Sequence, residues 1–459
     1  MKGTAIIAAV VLMVVAGSSM AADWPQWRGP NRDGKSADAG LLKQWPQDGP
    51  PPAWRIDKLG GGDSAPSISA GRIFVMANRG DEEFVWCLSE EDGREVWVMP
   101  LGPAFQQRAS QGREGPACTP TVDGQRLYVV GLAGNVACLQ VADGKILWQI
   151  SMAEQFGGRV PMWSYRESPL IDGDKVICTP GGPDAMVVAL NKLTGETVWK
   201  SKMPDSPAGG SEAPGGPAGG PGGFGGGRGG GRGGFGGGGG GGGGASYASP
   251  IAIDFDGQRQ YVQLTARALI GIAASDGKFL WRYDPPANRM GINCSTAIHQ
   301  DGMVFASSAY GAGGGLVKLS KGADGSVKAE EVYATTDMQN HHGGMILVDG
   351  HLYGASGGNE GGALVCLDFK TGKVMWDQRQ NGQRRAKGSL TLADGLLYYR
   401  MEDGVVALIE PNPGEYVEHG RFTQPDRTRL PAWSHPVIAN GRLYIRDQDT
   451  LFCYDIKAK

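Results

Sequence analysis

The chain has 459 residues, 41% of them hydrophobic and 20% charged, with a formal net charge of −3. That much apolar material can bury a large core. A charge balance this close to neutral excludes a whole-molecule attraction to nucleic acid or to acidic membranes.

At the N-terminus Lys2 precedes an apolar run from Ala5 to Ala16, and small residues follow from Gly17 to Ala22. This order is that of a secretory signal peptide, residues 1–22, with cleavage expected near Ala21 or Ala22. The apolar run is short for a spanning helix, so no transmembrane segment is expected in the mature chain and an uncleaved anchor is the alternative. No cysteine lies beside the cleavage site to carry a lipid. The mature protein is therefore expected in the periplasm or secreted. Residues 23–53 follow, with Trp24, Trp27, Trp45, Pro46 and the Pro50 to Pro52 run. They read as an extension packed on the body of the protein rather than as a separate domain.

Beyond this extension one phrase, close to Asp-Gly-Lys-x-x-Trp, recurs. Cys87-Leu88 leads to Asp92-Gly93-Arg94 and Trp97, and Cys138-Leu139 leads to Asp143-Gly144-Lys145 and Trp148. Ala189-Leu190 leads to Thr194-Gly195-Glu196 and Trp199, Ile272 to Asp276-Gly277-Lys278 and Trp281, and Cys366-Leu367 to Thr371-Gly372-Lys373 and Trp376. A period of roughly 40 to 50 residues marks a repeat architecture. Each copy is an alternating apolar run, a turn whose Gly supplies positive φ, and a second run ending in Trp, which reads as a β-hairpin. A second hairpin precedes it, as in Thr119-Pro120 to Asp123-Gly124 to Leu127-Tyr128-Val129. Four antiparallel strands per repeat match a propeller blade, and the period-2 patterning excludes helical repeats.

Degenerate copies complete the count. Tyr333 stands in for Trp in the fifth blade, the seventh runs from Asp394-Gly395 to Tyr416, and the last, Ser434 to Asp455, stops before its terminal strand. Ala53-Trp54-Arg55 precedes the first blade with no hairpin of its own, so it is expected to complete the last one. The predicted fold is all-β: an eight-bladed β-propeller of four-stranded antiparallel blades over residues 54–459, closed by the strand around Trp54, with seven blades as the fallback. Residues 204–245, nearly all Gly, Ala and Pro, cannot bury enough surface to offset their ordering entropy and are expected to form a disordered insert between blades three and four. Its Arg residues are too few for an RNA-binding segment.

Of the seven cysteines, Cys87, Cys138, Cys366 and Cys453 share one repeat position, where Ala189 and Ala407 stand in other blades, and Cys118 and Cys294 share another. They read as small buried residues rather than disulfide partners, and their spacing suits no zinc site. Trp at a fixed repeat position, as in Trp54, Trp97, Trp148, Trp199, Trp281 and Trp376, reads as packing between blades. Trp24, Trp27, Trp45 and Trp163 fall outside that register and are the ones to suspect of function.

Residues 366–376 resemble the tryptophan-docking motif of the pyrroloquinoline quinone (PQQ)-like β-propellers, Ala-x-Asp-x-x-Thr-Gly-Lys-x-x-Trp, with Cys366 in place of the Ala. The run Asp23-Trp24-Pro25-Gln26-Trp27-Arg28-Gly29-Pro30 resembles the opening of many secreted bacterial members. The resemblance implies one of two functions. A quinoprotein dehydrogenase would carry PQQ with calcium over the channel, beneath an adjacent Cys-Cys pair, and this chain has no adjacent cysteines and no Cys-x-x-Cys-His haem site. A non-catalytic propeller of the kind that scaffolds outer-membrane assembly needs neither.

Function on such a fold must be argued from a site. Residues leading into each innermost strand should converge on one mouth of the channel. They are Asp63, Arg113, Glu114, Arg166, Glu167, Tyr247, Asn293, His341, His342, Arg385, Lys387, Trp433 and His435. They differ from blade to blade, as variable residues on a rigid scaffold do where function is carried. His341 and His342, if on a strand, point to opposite faces and cannot share a metal. No catalytic residue and no metal site can be assembled, because Asp92, Asp123, Asp143, Asp276, Asp349 and Asp394 all precede Gly in turns. The expectation is a monomeric, exported binding propeller that needs no cofactor, whose partner is a protein or envelope polymer and not nucleic acid. The alternative is a PQQ-dependent alcohol or sugar oxidoreductase.

Overall fold

The computed structural model describes residues 22–104, 115–204, 244–381 and 387–458. Arg113, Glu114 and Arg385, the signal segment as far as residue 21 and residues 205–243 of the Gly-rich insert lie outside these. The described strands form eight four-stranded antiparallel sheets. Seven are built from consecutive strands, over residues 67–103, 121–151, 170–201, 251–283, 298–335, 345–377 and 388–423. The eighth takes three strands from 437–455 and its outermost one from Pro52–Ile56, so that Trp54 lies opposite Cys453. The expected eight-bladed ring, closed through Trp54, is the one observed.

The first turn of many blades is a pair of residues with positive φ, such as Asp349-Gly350, Asp394-Gly395 and Asn440-Gly441. Both central residues of a tight hairpin turn of this twist need that conformation, which Asn, Asp and Gly tolerate best. The second turn places Gly beneath an aromatic ring of the preceding blade. Trp97 donates its indole N–H to the Val141 carbonyl at 3.0 Å and lies on Gly144, where a Cβ would sit 2.6 Å from the ring. Trp148 repeats this on Lys192 and Gly195, Trp199 on Ala274 and Gly277, and Trp54 on Glu90 and Gly93. Tyr333 does the same through its hydroxyl on Phe369 and Gly372, and Trp376 reaches the Asn412 carbonyl. Across the hairpin from each Trp stands a small residue, Cys87, Cys138, Ala189, Cys366 or Cys453, which leaves room for the ring.

Trp281 departs from the pattern in which its sequence groups it. Its partner across the hairpin is Gly271, and a Cβ there would overlap the indole. The ring therefore folds over its own blade and donates to Gln260 Oε1 at 2.9 Å. The turn it would have met, at Gly325, has nothing within 4 Å of a Cβ.

The N-terminal segment fills the channel from the face that bears these turns. Trp24 bridges to Ile68 of the first blade, Pro25 accepts from Val122 of the second, and Lys35 bridges to Leu392 of the seventh. Two buried guanidinium groups pin it: Arg28 donates to the Met345 carbonyl, and Arg32 donates to the carbonyls of Ser168 and Pro169. Innermost strands expose an unpaired edge, and this segment satisfies part of it. Farther along, Trp45 packs edge-on against Tyr398 and Phe422.

Gly144 carries both a positive φ of 77° and the indole contact, whereas Gly325 carries the φ of 79° alone. Gly144→Ala should therefore destabilise the fold by roughly 2–4 kcal/mol and Gly325→Ala by only about 1–2 kcal/mol. The shift of the urea midpoint for each variant measures this, and equal shifts would deny the ring contact its role.

Candidate functional site

In an antiparallel four-stranded blade, the segment leading into the innermost strand and the hairpin between the second and third strands share one face of the disc. A cavity of about 520 Å³ opens over the channel on that face. Among the residues expected at the mouth, Asp63, Arg166, Tyr247, His341, His342, Trp433 and His435 line it. Trp27, from the segment filling the channel, also lines it, with its indole N–H donated to Thr296 Oγ1 at 2.9 Å. Trp163 joins the wall, and beside it Met162 and Met290 are exposed, at 49% and 65%. Tyr310 and Asn359 reach it from hairpins between second and third strands, a source the sequence reading overlooked.

Three expected mouth residues are buried beside the cavity instead. Glu167 accepts from the Thr179 N–H at 2.6 Å, and burial pushes its carboxyl up to about 7. Asn293 accepts from the Asn288 N–H and donates to the Thr265 carbonyl, which holds the loop that presents Met290. Lys387 donates to the Gly358 carbonyl at 2.7 Å and pairs with Glu402 at 2.9 Å. Glu167 thus satisfies backbone within its own blade, and Asn293 and Lys387 do so at the seam between blades, a demand invisible in one-dimensional register.

The wall is a chain of rings. His342 stacks on Trp433 with centroids 4.0 Å apart and lies tilted against His341 at 3.7 Å, and Tyr310 meets His341 edge-on at 5.0 Å. The two histidines thus lie side by side rather than on opposite faces, because residues 341–344 precede the strand Met345–Val348 and are not part of it. On the floor Trp27 packs against His435 at 4.6 Å. His435 is pushed down to about 3 by burial, with the Arg28 and Arg400 guanidinium groups adding to the effect, so its ring stays neutral.

Glu402 is a further residue that the sequence pattern did not single out. Its carboxylate takes the Trp433 indole N–H at 2.6 Å on one oxygen and Lys387 on the other, and so fixes the indole plane. It sits in a short turn after the second strand of its blade, Leu396–Met401, with no repeat signal to single it out. Arg166 donates to the carbonyls of Trp163 and Gly115, each at 2.7 Å, and so ties the third blade to the second. Burial holds its guanidinium below the ordinary value, and the charge of Asp63 opposes that shift. Asp63 in turn accepts from Gln448 at 3.1 Å. Tyr247 accepts the Trp163 N–H at 3.2 Å, and its hydroxyl is pushed up to about 12 by burial. Among the described residues, no three His, Cys, Asp or Glu side chains gather closely enough to hold a metal ion. Cys294, on the cavity wall, is a free thiol pushed up to about 12 by burial, which leaves it protonated and unreactive.

A family profile described as outer membrane protein assembly factor BamB matches residues 81–221, 240–378 and 335–417. The chain belongs to this PQQ-repeat β-propeller family. Among solved structures it is similar to BamB from Moraxella catarrhalis, at 14% identity and a TM-score of 0.54, with 88% of this chain and 98% of that one covered. It is also similar to the quinohemoprotein alcohol dehydrogenase of Comamonas testosteroni, at 13% identity and a TM-score of 0.58, covering 95% of this chain and 81% of that one. A europium-containing methanol dehydrogenase matches at 13% identity and a TM-score of 0.58, covering 92% and 89%. Identities this low establish the fold that the family shares. Among curated proteins, none matches significantly.

Two buried carboxyls near the mouth of this PQQ-repeat propeller, Glu83 and Glu167, are raised from 4.5 to about 7, in both cases by burial. Glu83 accepts the Leu132 N–H with both oxygens, at 3.1 and 3.0 Å. Between these values the folded chain binds more protons than the unfolded chain, so the stability they contribute is full below pH 4.5 and is lost as pH rises through about 7. The thermal midpoint should fall between pH 5 and pH 8, and Glu83→Gln with Glu167→Gln should flatten that fall. An undiminished slope in the double variant would place the titration elsewhere.

Proposed function

We propose that the protein is an exported, non-catalytic binding propeller that captures a protein or envelope component at the channel mouth. The observation that carries this reading is the cavity itself: a wall of mutually packed aromatic rings above a channel closed by the protein's own N-terminal segment. A concave, largely apolar site with a few placed polar groups is the usual form of a ligand site. The signal-like residues 1–22 support export, and among the described residues no helix is long and apolar enough to cross a membrane. The outer-membrane assembly factor of Moraxella catarrhalis has the same fold, which makes a protein partner a natural occupant.

The quinoprotein alternative fares worse on the donor set. Calcium takes roughly six to eight oxygen ligands, with carboxylates prominent. Of the described lining residues Asp63 alone is a carboxylate, while the neighbouring Glu167 is turned to the Thr179 N–H. The residues present do not fit a calcium-held quinone.

Titrating the purified chain with PQQ and calcium should give no stoichiometric binding and no dye-linked alcohol or sugar oxidation. In parallel, the chain should capture a component of envelope extract that Trp163→Ala combined with Met290→Glu loses at least tenfold. Tight quinone binding with oxidation, or capture indifferent to both substitutions, would refute the reading.

A further inference from the structure

Resting on the channel-mouth reading, we infer that the cavity receives an uncharged saccharide, seating a pyranose ring of a glycan against its aromatic wall. The rings that line it are held from behind. Trp433 is fixed by Glu402 through its N–H and by His342 on one face, Trp27 by Thr296 and His435, and Tyr310 by His341. Their polar edges are thus engaged with protein, so what they offer a ligand is a carbon face set in advance, at little ordering cost on binding. A sugar ring has the matching duality: one face of C–H groups, with hydroxyls around its rim.

The polar atoms beside these faces suit hydroxyls. Ser249, Tyr247 and Asn359 can each donate and accept, as a sugar hydroxyl does. Among the described lining residues the full charges are Asp63 and Arg166, which oppose one another, and each already bonds protein. The wall therefore offers no net attraction to a polyanion or a polycation.

Two other occupants fit less well. A planar heteroaromatic needs a slot between two parallel faces, and the ring pairs here are closed on each other at 3.7 to 6.4 Å. An extended peptide brings backbone N–H and C=O groups that must find partners. Strand edges could supply them, yet those of the first and seventh blades inside the channel are bridged by Trp24 and Lys35. The cavity, at about 520 Å³, falls within the range of roughly 300 to 1,000 Å³ that small-ligand sites occupy.

The test titrates the full chain with cellohexaose, maltohexaose, xylohexaose, mannohexaose and N-acetylchitohexaose, read by calorimetry and by tryptophan fluorescence, with polyphosphate as the charged control. At least one neutral saccharide should bind and perturb the fluorescence, and polyphosphate should not. Trp163→Ala and the milder Trp433→Phe should each weaken binding tenfold or more at unchanged thermal midpoint, while Val332→Ser on the outer surface leaves it unaltered. Glu402→Gln should weaken binding less and alter the Trp433 fluorescence, as a positioning role requires. Failure of every saccharide, or binding indifferent to Trp163→Ala, overturns the inference. If envelope capture still depends on Trp163 in that case, the mouth reading stands without it; if capture fails too, both fall.

Discussion

The structure depends on an aromatic ring of one blade lying on a glycine of the next. A single blade cannot bury both faces of its sheet, so each needs neighbours. The indole supplies apolar area and its N–H takes a carbonyl at the hairpin turn, at 3.0 Å for Trp97 and 3.1 Å for Trp148. A closed ring leaves no terminal blade, and Gly93 of the first blade receives Trp54 from the strand that begins the chain. Circular closure is therefore the same contact made once more between the two ends of the sequence.

Toward the axis, where the blades converge, hydrophobic packing gives way to buried cations. Arg446 of the eighth blade donates to the carbonyls of Ser64 and Met76 in the first, and Arg400 of the seventh donates to Ser434 and Arg446 in the eighth. Both are fully buried, and burial lowers each guanidinium to about 10. Burying a charge costs several kcal/mol unless its donors are met, and the flat guanidinium fork meets several carbonyls at once. Arg28 and Arg32 use the same device to seat the N-terminal segment, so the closed floor of the cavity is a consequence of how the channel edges are satisfied.

Repeat register carried most of the fold and part of the site. It identified Tyr333 as the replacement for Trp and the strand around Trp54 as the ring closure, since both follow from spacing. It placed Trp281 with its siblings, because nothing in the local phrase reveals that Gly271 makes room for the indole on its own blade. Of the residues that register grouped at the mouth, Asp63, Arg166, Tyr247, His341, His342, Trp433 and His435 line one cavity. It could not separate them from Glu167, which accepts the Thr179 N–H of its own blade, or from Asn293 and Lys387, which donate to carbonyls of the neighbouring blade. Glu402 was beyond it, for want of a repeat position; Trp27 and Trp163 stood out only by falling outside the register, and the approach of Trp27 to the cavity depends on a long-range path through the channel.

What the amino-acid order alone determined is the part governed by local rules: turns where Gly or Asp-Gly can take positive φ, alternation that makes strands, and a recurrent Trp opposite a small residue. These recur with a fixed period, so the propeller and its eightfold closure follow from them. What only the tertiary structure decided is which side chains face the cavity, which rings stack, and what closes the channel beneath them. Those outcomes arise from contacts between residues far apart in sequence, such as Trp27 with His435 and Trp433 with His342, and depend on packing distances that no local pattern encodes.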